Sequence, residues 1–220
     1  MKKKNSLILA LDVLSRDKAL ELTEQLVDHF DAIKVGYPLI LHAGLGIVEE
    51  ISSISPVIAD LKIADTPNTN RLICEAVLGA GAGAIIAQAF PGKDSLVACA
   101  DCARGFGADL FVVTEMSHPG AEQFMAPLAE RMARLAVESG ARGVVAPATR
   151  PERIRLIRSI IGDKLIISPG VGAQGGSAGQ ALQAGADYLI VGRSVYGSAD
   201  PLASTKELLD QIQSNYSNEI

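Results

Sequence analysis

The sequence predicts an α/β chain folded as a single (β/α)8 TIM barrel over residues 1–220, with its working surface at the C-terminal ends of the strands. Three observations carry the prediction. Eight short runs of Val, Ile, Leu and Ala recur along the chain, and segments with helical spacing and charged faces lie between them. Glycines in Gly81-Ala-Gly-Ala, Gly107-Ala-Asp, Gly140-Ala-Arg-Gly and Gly185-Ala-Asp recur where a helix ends and the next strand begins. Polar residues out of keeping with apolar runs, Asp12, Lys34, Asp60, Lys62, Gln88, Ser117 and Arg193, all fall late in a strand or just after it. An open doubly wound sheet is the competing architecture, but it calls for a Gly-rich nucleotide fingerprint after the first strand, where this chain has Asp12-Val-Leu-Ser.

Lys2-Lys3-Lys4 followed by Leu7 to Leu11 mimics a signal peptide, but Asp12 interrupts the apolar run and no small-residue cleavage site follows, so Leu7 to Val13 reads as the first strand. Arg16 to His29 has helical spacing, and Ala32 to Tyr37 is the second strand. Val57 to Ile63 is the third, followed by a helix over Asn70 to Leu78; Ala84 to Phe90 is the fourth. Leu110 to Met116 and Gly143 to Ala148 are the fifth and sixth strands, with helical segments Ala121 to Glu138 and Pro151 to Ile161 after them. Leu165 to Val171 and Tyr188 to Gly192 complete the eight, and a helix over Pro201 to Ser214 closes the chain.

At 220 residues the chain suits one large α/β domain, and a content of 48% hydrophobic but only 4% aromatic residues, with no Trp, makes the core one of Ala, Val, Ile and Leu. The net charge of -5 argues against a general nucleic-acid binder or an anionic-membrane binder, which show a basic footprint. No stretch approaches the roughly 18 apolar residues of a membrane span. Three cysteines, Cys74, Cys99 and Cys102, cannot all pair, so a reducing cytoplasm fits best. Cys99-Ala-Asp-Cys102 has redox or metal spacing, but without a second pair or a clustered His it reads as packing thiols.

The most informative stretch is Asp60-Leu-Lys62-Ile-Ala-Asp65, at the end of the apolar run Val57-Ile-Ala. In a strand Asp60 and Lys62 are two apart and point to one face, with Asp65 in the loop beyond, so two carboxylates bracket one ammonium. Charges so placed are either mutually paired or exposed in a cleft, because an unpaired buried charge costs several kcal/mol or more. A second polar region is Ser168-Pro-Gly170-Val-Gly172-Ala-Gln174-Gly175-Gly176 after the seventh strand, with Gly192-Arg193-Ser194 after the eighth. Barrels often bind phosphate there: glycines admit close approach of backbone N–H groups, and Arg193 offers a forked pair of donors. Residues Val171 to Ser177 are long enough to close over a ligand.

Other chemistries fail on spacing. His29, His42 and His118 are scattered rather than clustered as a zinc site requires, and read as packing or surface residues. Ser117-His118 lacks a Gly-x-Ser-x-Gly elbow, and adjacent strand residues point apart. Neither a nucleotide-hydrolase phosphate loop nor a dinucleotide fingerprint is present in the sequence.

Asp60-Leu-Lys62-Ile-Ala-Asp65-Thr-Pro-Asn-Thr69, Thr114-Glu-Met-Ser117-His-Pro-Gly120, Pro169-Gly-Val-Gly-Ala-Gln174-Gly-Gly and Val191-Gly192-Arg193-Ser194 together make nearly the whole chain resemble the short microbial type of the orotidine 5′-phosphate decarboxylase family. The resemblance implies loss of CO2 from orotidine 5′-phosphate to give UMP, in pyrimidine biosynthesis, with no metal or organic cofactor. Lys62 would stabilise the developing C6 anion and donate its proton, and Asp60 would hold Lys62 and lie against the leaving carboxylate. Asp65, as a third catalytic residue, and Thr69 would reach the partner's site in a homodimer. Asp12 and Lys34 would bind ribose hydroxyls and extend the charged network. Ser117 would bond the pyrimidine edge, Gln174 would bridge base and phosphate, and Gly192 with Arg193 would grip the phosphate. Members of the family often carry His in the fourth strand where this chain has Gln88, so no role is carried over to that residue.

The Asp-x-Lys-x-x-Asp element is shared with Mg2+-dependent 3-keto-gulonate-phosphate decarboxylases and hexulose-phosphate aldolases, which leaves a metal-held enediolate as one alternative. A non-catalytic phosphosugar-binding barrel is another, and the charged quartet counts against it because binding alone has no need of Lys62.

Overall fold

The structure, a computed structural model, describes residues 3–217; Lys2 of the basic run and the two ends of the expected 1–220 span lie outside them. In chain order the elements are β1 (Leu7–Leu11), α1 (Arg16–Leu26), β2 (Ala32–Gly36), α2 (Tyr37–Ala43), α3 (Gly46–Ser52), β3 (Val57–Ile63), α4 (Pro67–Gly79), β4 (Ala84–Gln88) and α5 (Lys93–Gly105). They continue with β5 (Asp109–Val113), α6 (Ala121–Phe124), α7 (Ala129–Glu138), β6 (Gly143–Val145), α8 (Pro151–Ile161), β7 (Leu165–Pro169), α9 (Ala178–Gln183), β8 (Tyr188–Val191), α10 (Arg193–Tyr196) and α11 (Pro201–Ser217). The strands close in sequence order, and β1 pairs in parallel with both β2 and β8. This is the (β/α)8 TIM barrel that the sequence predicts.

Strand alternation divides the apolar side chains between two cores. Ile8, Ala10, Ala32, Ile58, Ile86, Phe111, Val113, Val145, Ile167 and Ile190 fill the barrel interior. Leu7, Leu9, Leu11, Ile33, Val35, Val57, Ala59 and Ile85 face outward and pack with the buried helix faces, among them Leu22 and Leu26 of α1 and Ile154 and Ile157 of α8. Each fully buried Val, Leu or Ile contributes about 1.5–3 kcal/mol. Cys74 and Cys99 are buried in the outer core as free thiols, and Cys102 packs at its margin.

Element boundaries follow local chemistry. Ser15 caps α1 by accepting from the Lys18 N–H, and Pro67 and Pro151 open α4 and α8, where a missing N–H costs nothing. The chain leaves α4, α5, α7 and α9 through Gly81, Gly107, Gly140 and Gly185, all with positive φ, as their place in the sequence predicts. Seven strands end earlier than the apolar runs suggest, β1 at Leu11 rather than Val13 and β6 at Val145 rather than Ala148. The loops fold back over the barrel mouth, so Ala89, Ala146, Ala148 and Val171 stay buried after leaving the sheet. The helix expected over Ala121 to Glu138 is broken into α6, a 3-10 turn at Ala126–Leu128 and α7, because Pro127 supplies no N–H. The short α2, α3 and α10 have no counterpart in the sequence expectation. Among the described residues no helix is long and apolar enough to cross a membrane.

Candidate active site

The interior alternation continues past the apolar layers into charge at the C-terminal mouth. Lys34 lies on β2 and Asp60 on β3, where register pairs Gly36 with Asp60 and Lys34 with Ile58. Asp12 follows β1 directly. Lys62 Nζ donates to Asp60 Oδ1 at 3.0 Å and Oδ2 at 2.8 Å, and Lys34 Nζ lies 3.1 Å from Asp60 Oδ2 and 3.7 Å from Asp12 Oδ1. Within the chain it is thus the Asp60 carboxylate that is bracketed by two ammonium groups, rather than Lys62 by two carboxylates. Burial alone would push the Asp60 carboxyl up, but Lys34 and then Lys62 outweigh it and hold it below the usual carboxylate range. Burial likewise opposes the charge on Lys34, and Asp60 and Asp12 reverse the effect and raise its pKa.

Lys62 reaches this position through an irregular strand. Pairing of β3 with β4 passes from Ala59–Ile85 to Ile63–Ala87, so four residue steps on β3 span two on β4. Inside that bulge Lys62 has φ +42°, one of two non-glycine residues with positive φ among those described. Bulges and left-handed residues of this kind re-aim side chains beside functional sites.

Eight of the ten sequence-predicted site residues, Asp12, Lys34, Asp60, Lys62, Ser117, Gln174, Gly192 and Arg193, line one cavity of about 340 Å3 at this mouth. Asp65 and Thr69 do not. The Asp65 N–H donates to Asn70 Oδ1 at 2.9 Å, its carbonyl accepts from Ser95 Oγ at 2.6 Å, and its carboxylate accepts from the Thr66 N–H at 2.6 Å. Buried Asn70 and Ser95 therefore fix the loop while the Asp65 side chain stays exposed. Thr69 Oγ1 accepts from Thr66 Oγ1 at 3.3 Å on the first turn of α4.

Opposite the charged strands, the segment from Gly170 to Gly176 is folded onto itself. The Gly176 N–H donates to the Gly170 carbonyl at 3.0 Å, the Gly172 N–H to the Gly176 carbonyl at 3.1 Å and the Gly175 N–H to the Gly172 carbonyl at 2.8 Å. A Cβ on Gly176 would lie 2.6 Å from the Gly170 oxygen and 3.1 Å from the Ala148 backbone, so only glycine lets this loop close against the one after β6. Arg193 opens α10 beside it, and Tyr196, one turn on, also lines the cavity. Lys34, Lys62 and Arg193 outnumber the carboxylates Asp12 and Asp60, which leaves the lining net positive in a chain of charge -5. Such a pocket draws an anion.

His118, expected to be a packing or surface residue, is exposed, and it borders the cavity beside Met116 and Ser117. Ile86, Val113, Val145 and Ile190 form the apolar floor. Strand alternation puts these four on the inner face of the barrel; Tyr196 carried no signal of its own, since α10 is a single turn. Gln88 donates weakly to Met116 Sδ at 3.8 Å, and its buried Oε1 has no partner among the described residues.

Fold and pocket define a class, the (β/α)8 barrels with a lysine-lined cavity at the C-terminal mouth. A family model described as orotidine 5′-phosphate decarboxylase / HUMPS family matches residues 5–208, and the chain belongs to that family. It is 59% identical over 213 residues to the orotidine 5′-phosphate decarboxylase of Methanococcoides burtonii, covering 96% of this chain and 99% of that protein. It is 56% identical over 220 residues to that of Methanosarcina acetivorans, covering 100% of both. Among solved structures, orotidine 5′-monophosphate decarboxylase from Methanocaldococcus jannaschii complexed with inhibitor BMP superposes with a TM-score of 0.90 at 44% identity, over 94% of this chain and 97% of that one. The enzyme from Pyrococcus horikoshii OT3 gives 0.86 at 43% identity, over 94% and 99%.

Proposed function

We propose that this protein is an orotidine 5′-phosphate decarboxylase, converting orotidine 5′-phosphate to UMP and CO2, with Lys62 as the proton donor. The observation that carries the reading is the Asp60 carboxylate held between Lys34 and Lys62 at the mouth of a net-positive cavity. In the reaction the bond from C6 to the carboxylate breaks, CO2 leaves, and the electron pair stays on C6 in the plane of the ring, where the π system does not delocalise it. Lys62 Nζ then supplies the proton to C6 and regains one from solvent. Barrier reductions of about 8–23 kcal/mol come mainly from charge placed in advance and from binding energy in remote groups. Asp60, already fixed by two lysines, needs no reorganisation to hold Lys62 against C6.

In this reading Asp12 and Lys34 bind the ribose hydroxyls, Ser117 the pyrimidine edge and Gln174 both base and phosphate. Gly192 and Arg193 grip the phosphate, far from C6. The exposed Asp65 and the half-buried Thr69 complete the site of a second subunit in a homodimer. The reaction uses neither metal nor organic cofactor and runs in the cytoplasm. Loss of orotidine 5′-phosphate absorbance is the direct assay: conversion to UMP at the same rate in chelator and in added Mg2+ is the expected result. Turnover that stops in chelator and returns with Mg2+ would favour the enediolate alternative.

A further inference from the structure

Glu115 lies behind the cavity wall, 0% exposed, between two guanidinium groups. Arg150 Nε donates to its Oε1 at 2.8 Å and Arg153 Nε to its Oε2 at 2.7 Å. Each arginine spends a second nitrogen on the loop that follows: Arg150 Nη2 donates to the Met116 carbonyl at 2.6 Å, and Arg153 Nη2 to the Ala126 carbonyl at 2.7 Å. A third tie runs from Thr149 Oγ1 to the Ser117 carbonyl at 3.1 Å. The loop between those anchors carries Met116, Ser117 and His118, which line the cavity. Burying an Arg-Glu-Arg triad is a poor route to stability, since apolar replacements are commonly as stable or more so. A planar, forked donor that reaches a carboxylate with one nitrogen and a carbonyl with another is, however, well suited to holding a loop in one place.

We infer that Glu115 is a positioning residue for recognition of the pyrimidine: through Arg150 and Arg153 it braces both ends of the 116–126 loop and so sets where Met116 and Ser117 meet the base. The inference rests on the proposed function, in which that loop contacts the pyrimidine while the segment at Gly170 to Gly176 and Arg193 hold the phosphate. It therefore separates base recognition from phosphate recognition. Replacing Glu115 by Gln removes the charge that orients both arginines, and Arg150→Lys keeps the charge but loses the fork.

The test is calorimetric titration of wild type, Glu115→Gln and Arg150→Lys with UMP and with ribose 5-phosphate. Wild type is expected to prefer UMP, and both variants to lose about tenfold or more in UMP affinity, as for a charge-assisted bond displaced, with ribose 5-phosphate affinity unchanged. If Glu115→Gln does not fold, Arg150→Lys carries the comparison alone. Folded variants with the wild-type preference for UMP, or with both affinities reduced alike, would overturn the inference and leave the proposed function standing. A wild type with no preference for UMP would overturn both.

Discussion

Asp60 is 6% exposed, with Lys34 Nζ 3.1 Å and Lys62 Nζ 2.8 Å from its carboxylate, and Lys34 is itself 9% exposed. Removing one member of such a buried pair costs about 3–5 kcal/mol, because the other is left without compensation. The pH dependence follows from the directions of the two shifts. Asp60 is lowered on folding from its ordinary value of 3.8, so its contribution is present above that value and is lost as pH falls through the folded pKa. Lys34 is raised from 10.5, so its contribution is present below that value and is lost as pH rises through the folded pKa. Urea unfolding of wild type and Asp60→Asn should therefore differ most across the neutral plateau, with the gap narrowing below about pH 4 and above about pH 10.5. A gap that is constant with pH would show that the ion pairs are not its source.

The third strand is the element in which regular structure yields to the site. Two-residue alternation made it legible that Asp60 and Lys62 share a face, and both do line the cavity. The bulge between Ala59 and Ile63 and the positive φ of Lys62 were not legible, because the side chains of a bulged strand read no differently from those of a regular one. An L residue in the left-handed region costs about 1–2 kcal/mol, which glycine avoids. Lys62→Gly should accordingly be more stable than Lys62→Ala by about 1 kcal/mol, both lacking the ammonium, in paired urea titrations. Equal stability, or a less stable glycine variant, would mean that the backbone at 62 relaxes once the side chain is gone. Strand ends were overrun for a related reason: exposed Phe90 and Tyr37 continue the apolar composition beyond the last ladder residue. Reading Ala121 to Glu138 as one helical segment likewise passes over the break at Pro127, although a proline inside a helical pattern removes a donor.

At the scale of the molecule, the closed barrel was legible in the repeat of strands, helices and helix-ending glycines, and so were the eight site residues that one chain gathers. Of the two exceptions, Thr69 and Asp65, the second is the instructive one. Its spacing from Lys62 suggested a local third charge, yet the loop held by Asn70 and Ser95 turns its carboxylate outward. A symmetric dimer in which each subunit lends Asp65 to the other predicts complementation. Lys62→Ala and Asp65→Ala, each inactive alone, should recover about a quarter of wild-type activity when subunits are mixed at random, one competent site forming in each mixed dimer. No recovery, with subunit exchange verified, would place Asp65 in its own chain's site. The central claim, that the Asp60–Lys62 pair performs the decarboxylation, is tested most directly by following orotidine 5′-phosphate absorbance with Lys62→Ala beside wild type, after confirming that both are folded and bind UMP. The account predicts no detectable UMP formation by the variant; turnover at the wild-type rate would contradict it.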